Sequence, residues 1–218
     1  MLNTIIEYVR DNGSMLLVVA AVIAMTFWFV FYSRPKASGK RTYAERAGAV
    51  GESKVVGMLR RLGIEHEHDI VFTRPDGSSV QVDIVVRLRN GRLIVLEVKR
   101  YSGQVLGHDG EQYWTHRPKS GKPHQILNPI IQAGWQADAI RQRTGYQPSV
   151  LVVNAGSATF PPLRDVVALR ELPGRLEALA AGGSENTDAT WRRIQGWRAA
   201  DNPGLAARHV QRLKQKYG

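Results

Sequence analysis

Apolar and polar residues alternate clearly in the middle of the chain. Val80 to Val86 and Leu93 to Lys99 are two apolar runs with the period of strands, separated by Arg89-Asn90-Gly91-Arg92. An Asn-Gly pair between two such runs predicts an antiparallel hairpin. Upstream, Tyr43 to Leu62 predicts a helix with Val50, Val55, Met58, Leu59 and Leu62 as its apolar stripe. Downstream, Gly103–Gly107 and Glu111–His116 read as short strands, and 117–125, rich in Pro, Lys, Gly and His, as a loop. Asn128-Pro129 reads as an N-cap with proline at the first helical position. It opens a helix to about Arg143 with Ile130, Ile131, Trp135, Ala139 and Ile140 inward. Ser149–Val153 is a buried strand and Val166–Leu169 a further one. Helices follow near 174–181, 188–199 and 203–216. Alternating strands and helices predict an α/β fold, a mixed sheet flanked by helices.

The first 42 residues have a different pattern. Met15 to Tyr32 carries no charge and is long enough to span a bilayer. Trp28, Phe31 and Tyr32 close it, followed by Arg34, Lys36, Lys40 and Arg41. The expectation is a 1–14 extracytoplasmic segment, a transmembrane helix over 15–33 and a basic linker over 34–42. The positive-inside rule then predicts a single-pass inner-membrane protein with its C-terminal domain in the cytoplasm. The basic linker would also meet anionic lipid. Beyond it, 43–160 reads as the main domain and 161–218 as a basic extension.

Composition narrows the chemistry. There is no cysteine, which excludes disulfides and cysteine-based zinc sites. The formal net charge of +11 favours polyanionic partners. Lys119, Lys122 and His124 after Trp114 are candidates to touch a nucleic-acid backbone. His66 and His68 flank Glu67 beside Asp69, a spacing that reads as structural rather than as a metal site.

The candidate chemistry sits in the hairpin. Glu97 and Lys99 are two apart, hence on one face of their strand, in a run apolar enough to be buried. Such charges must pair or bind a cation. A two-residue Asn90-Gly91 turn would pair Leu88 with Leu93 and put Asp83 and Glu97 on opposite faces. A three-residue turn, Arg89-Asn90-Gly91, pairs Leu88 with Arg92 and sets Asp83 against Glu97. Turn propensity favours the first and the cost of unpaired buried charge the second. In the second register the two carboxylates suit Mg2+ or Mn2+, with Lys99 beside them. That is equipment for phosphodiester hydrolysis. A plain Glu97–Lys99 ion pair is the rival reading.

The order Gly48-Ala49-Val50-Gly51-Glu52, Gln81-Val82-Asp83, Glu97-Val98-Lys99, Tyr113-Trp114 and Asn128-Pro129-Ile130-Ile131-Gln132 resembles the nuclease-related domain family, over roughly 45 to 155. Its core is similar to the restriction-endonuclease-like Asp…Glu-x-Lys superfamily. The resemblance implies a divalent metal at Asp83 and Glu97, with Glu52 as a helper ligand. It implies Lys99 as catalytic base or transition-state stabiliser, and Gln132 touching substrate or orienting the lysine. The expected function is a membrane-anchored, metal-dependent nuclease acting on nucleic acid, DNA in preference to RNA. The alternative is a catalytically inactive nuclease-fold module that binds nucleic acid or protein at the membrane.

Overall fold

The computed structural model describes residues 43–198, with 202–205, 207 and 211 beyond. The predicted extracytoplasmic segment, membrane helix and basic linker lie outside the described residues. Among those described, no helix is long and apolar enough to cross a membrane.

Helix α1 (Tyr43–Arg61) leads into three antiparallel strands, β1 (Glu65–Thr73), β2 (Ser79–Arg87) and β3 (Leu93–Lys99). A small antiparallel sheet follows, of β4 (Gln104–Leu106), β5 (Tyr113–Arg117) and β6 (His124–Leu127). Next come α2 (Pro129–Thr144), β7 (Ser149–Asn154), β8 (Val166–Ala168), α3 (Leu172–Ala180) and α4 (Asp188–Gln195). The main sheet has five strands in the order β1-β2-β3-β7-β8, with β3, β7 and β8 parallel. It is the mixed sheet flanked by helices that the pattern predicts.

β3 is central, and this explains its near-continuous apolar run: both faces are covered. Ile84, Val86, Ile94, Leu96 and Val98 pack against Val55 and Leu59 of α1 and Leu172 and Leu176 of α3. Val85, Leu93 and Val95 pack against Ala137 and Ile140 of α2 and Trp191 and Ile194 of α4.

The hairpin adopts the three-residue turn. Arg87 pairs with Leu93 and Ile84 with Leu96. Leu88 N–H donates to Arg92 O at 2.9 Å, and Gly91, at φ 82°, takes the left-handed position. One step past the Ile84–Leu96 pair, this register sets Asp83 against Glu97. Tertiary contacts hold the turn: Asn90 Nδ2 donates to Leu179 O at 3.1 Å, and Glu185 N–H donates to Asn90 O at 2.7 Å.

Three expectations are corrected. The buried face of α1 runs through Gly51, Val55, Val56 and Leu59, while Val50, within the helix, and Leu62, just after it, are exposed. In α2 Trp135 points outward, 49% exposed, and Gln136 is buried, because that helix face meets Glu97 rather than apolar surface. The segment 117–125 is not all loop: His124 begins β6, which pairs with β5. His66 and His68 stand on edge strand β1, and Glu67 between them is buried against Arg198 at 2.5 and 2.6 Å.

Candidate active site

A cleft of about 940 Å³ opens at the C-terminal ends of the parallel strands β3 and β7. Glu52, Asp83, Glu97, Lys99 and Gln132 all line it. The sequence-predicted residues therefore converge, from one helix, two strands and a second helix.

Each is placed by its element. Asp83 and Glu97 share the α2 side of the sheet through the hairpin register. Lys99 follows two residues on, at the edge of the buried part of β3. Gln132 and Gln136 lie one turn apart on α2, so both face the strand. The start of α2 is fixed by its cap: Asn128 Oδ1 accepts from Ile130 N–H at 2.9 Å, with Pro129 next and Gly145 closing the helix in the left-handed conformation. Glu52 comes from the other face of the sheet, on α1. Gly51 beside it lets the helix approach Val98, Arg100 and Ala155, where an added Cβ would meet neighbours at 3.4 to 3.5 Å.

The charges are tightly arranged. Lys99 Nζ lies 2.6 Å from Glu97 Oε1 and donates to Gln132 Oε1 at 3.0 Å. Gln136 Nε2 donates to Glu97 Oε2 at 2.6 Å. Val98 N–H donates to Asp83 Oδ2 at 3.4 Å. Glu97 is fully buried, and its Oε1, though in ion-pair contact with Lys99, accepts no well-aligned hydrogen bond.

Burial and then the neighbouring charge of Glu97 push the Asp83 carboxyl up to about 7. Burial, then Asp83 and Asp69, push Glu52 up to about 7. Burial also raises Glu97, against the opposing pull of Lys99 and Gln136. For Lys99, burial favours the neutral amine, but Glu97, Tyr101 and Asp83 outweigh it and hold the group above its ordinary value. Lys99 is thus an ammonium at neutral pH, suited to stabilising negative charge and not to accepting a proton.

The donor set fits a hard divalent cation. Three carboxylates face one cleft, all three raised above their ordinary values by burial, and a buried carboxylate oxygen accepts no aligned hydrogen bond. No three acidic, histidine or cysteine side chains among the described residues stand close enough together to enclose a metal ion by themselves. One or two carboxylates with water and substrate oxygens is how Mg2+ is commonly held.

Residues 47–167 match the nuclease-related domain. The chain belongs to the nuclease-related domain family. Its matched segment spans α1 to β8 and contains all five cleft residues named above. No curated protein matches the chain. Among solved structures, it is similar to a repair endonuclease from Pyrococcus abyssi, at a TM-score of 0.32 and 14% identity, over 62% of this chain and 46% of that one. The chain therefore covers less than half of that endonuclease.

Two groups of residues at the site escape the sequence pattern. Gln136, buried behind the cleft against Glu97, is one; its only signal is the four-residue spacing from Gln132. Tyr101, just after β3, and His116, on the small sheet with His124, are the other.

Proposed function

We propose that this nuclease-related domain hydrolyses phosphodiester bonds of nucleic acid, DNA in preference to RNA. The observation that carries the reading is the meeting of Asp83, Glu97 and Lys99 in one cleft, through the three-residue turn. Asp83 and Glu97 would hold Mg2+ or Mn2+, with Glu52 as helper. Such an ion supplies Lewis-acid polarisation of the phosphate and a bound water of lowered pKa. The protein's own part is positioning. Gln136 orients Glu97 through Oε2, and Gln132 orients Lys99 through its Oε1. Lys99, as an ammonium, offsets the charge that grows on the phosphoryl oxygens. The net charge of +11 supports a polyanionic substrate.

A membrane location belongs to the same proposal. The uncharged stretch 15–33 would anchor the chain with the domain in the cytoplasm, and the 34–42 linker would lie against anionic lipid. The second reading, a module that binds without cutting, draws on the Glu97–Lys99 contact, in which the lysine already neutralises the carboxylate.

The test is cleavage of labelled DNA and RNA by the full chain with Mg2+ or Mn2+, beside Asp83→Ala and Lys99→Ala. Loss of cleavage in both supports the proposal. Equal cleavage in wild type and both variants removes it.

A further inference from the structure

Four large apolar side chains are exposed among the described residues: Val50, Leu62, Tyr113 and Trp135. Of these, Trp135 stands on α2, the helix that supplies Gln132 and Gln136 to the site. Residues three apart on a helix are surface neighbours, with β-carbons about 5–6 Å apart. Trp135 therefore stands beside Gln132, whose Oε1 accepts from Lys99 Nζ at 3.0 Å. The contact of Gln136 with Glu97 turns the Trp135 position outward. A polar residue would serve at such a position; an indole there offers a large apolar face to solvent beside the cleft.

A second segment reaches the same place. β1 runs antiparallel to β2 and β2 antiparallel to β3, so the β1–β2 turn lies at the end of the sheet where β3 carries Lys99. The ladder continues through Val71–Gln81 to Thr73–Ser79, and the chain then turns over 74–78. Arg74, the first residue of that turn, donates through Nη2 to Trp135 O at 3.3 Å, which holds the turn against α2. Its guanidinium has further N–H donors. The acid of the turn, Asp76, is engaged by Ser78, whose N–H and hydroxyl donate to Asp76 Oδ1 at 2.8 and 2.6 Å.

An exposed indole next to an arginine has the chemistry of a stacking platform. Every base has a π-face, so an aromatic side chain takes any of them, and a guanidinium takes the neighbouring phosphate. A base inside a duplex has both faces covered by its neighbours, so such a platform engages an unpaired nucleotide. We infer that Trp135 and Arg74 form a subsite for one unpaired nucleotide beside the phosphate at the cleft, so that the substrate is single-stranded or frayed nucleic acid and not intact duplex. Trp135 contacts the base and Arg74 its phosphate. The inference deepens the nucleic-acid reading above and rests on it for the ligand class, but it does not require that the bond be cut.

The experiment measures binding of a labelled DNA oligonucleotide to the full chain in EDTA, as a single strand and annealed into a blunt duplex. Wild type, Trp135→Ala, Trp135→Phe and Arg74→Gln are compared, with circular dichroism to confirm that each folds. Wild type is expected to hold the single strand more tightly than the duplex. Trp135→Ala is expected to weaken the single-strand complex about tenfold, as removal of one stacked base does, and to leave the duplex complex unchanged. Trp135→Phe is expected to keep most of the single-strand affinity. Arg74→Gln is expected to flatten the slope of log affinity against log salt for the single strand by about 0.7. A wild type that prefers the duplex overturns the subsite. So does single-strand binding that Trp135→Ala leaves unchanged, an equal loss on both forms, or a Trp135→Phe no better than Trp135→Ala. An unchanged slope in Arg74→Gln overturns the part given to the arginine. Absence of any DNA binding by wild type overturns the subsite together with the nucleic-acid reading. Cleavage is assayed separately with Mn2+: wild type that binds but does not cut removes the catalytic reading alone, while the single-strand and duplex affinities still decide the subsite.

Discussion

Gln136 Nε2 donates to Glu97 Oε2 at 2.6 Å, and both side chains are buried. The contact explains how a carboxylate is tolerated in the middle strand of the sheet. Glu97 receives an amide hydrogen on one oxygen and an ammonium beside the other. Replacing Gln136 by leucine removes the only aligned donor and leaves a buried carboxylate oxygen unsatisfied. Such a change costs about 1–3 kcal/mol. Urea unfolding of Gln136→Leu is expected to show a midpoint shift of that size with an unchanged slope.

Lys99 and Glu97 are expected to be strongly coupled. Lys99→Met leaves a buried, unpaired carboxylate, which costs about 3–5 kcal/mol in comparable cases. Glu97→Gln together with Lys99→Met removes both charges and is expected to recover much of that loss. Unfolding measurements on the two single variants and the double give the coupling energy directly. Cleavage is expected to be absent from all three.

Stability is expected to fall as pH rises through the neutral range when divalent cations are chelated. Asp83 and Glu52 move from ordinary values of 3.8 and 4.5 to about 7 in the folded chain. Over that window the folded state holds protons that the unfolded chain has released, so deprotonation favours unfolding as pH increases. The contribution is fully present below about pH 4 and lost above about pH 7. Asp83→Asn removes one of these groups, so its Tm in EDTA is expected to exceed that of wild type at pH 8 and to converge with it at pH 4.

Adding Mn2+ at pH 8 is expected to raise the Tm of wild type by offsetting the same repulsion. The rise is expected to be small or absent in Asp83→Asn. Calorimetric scans with and without EDTA check both outcomes, and an equal rise in the variant would point to a different site.

Gly91 is expected to control the register. It sits at φ 82°, and a Cβ there would collide with the Glu185 carbonyl. Gly91→Ala therefore combines a strained backbone with a backbone clash, two of the mechanisms behind large losses of stability, and is expected to cost about 2 kcal/mol or more. Because the turn aligns Asp83 with Glu97, cleavage is expected to fall further than the folded fraction does. Activity corrected for the folded fraction by circular dichroism separates the two effects.

Much of the site could be read along the chain because its residues lie on regular elements with simple periods. Glu97 and Lys99 share a face by the two-residue period of a strand. Asn128-Pro129 announces the start of α2 and so places Gln132. The reading failed where a face had to be chosen by what packs against it. Trp135 looked like core and is exposed; Gln136, which the apolar pattern passes over, is buried. Helical period alone leaves the rotation of α2 open, and the need of Glu97 for a donor sets it. The apolar stripe of α1 was misplaced for a similar reason, since Val50 faces solvent beside the buried Gly51 and Leu62 follows the last helical residue, Arg61.

By itself the sequence determined the local facts: two apolar strands joined at Asn90-Gly91, an acid and a lysine on one face, a capped helix after Asn128, and a strongly basic, cysteine-free chain. These follow from backbone geometry and side-chain chemistry over a few residues. Tertiary structure decided which turn closes the hairpin, through Leu179 and Glu185 holding Asn90. It also brought Glu52 from the opposite face of the sheet and set His116 and His124 against the same cleft. Those are contacts between segments far apart in sequence. Their free energy comes from packing and from satisfying buried polar groups, which no short stretch of residues encodes alone.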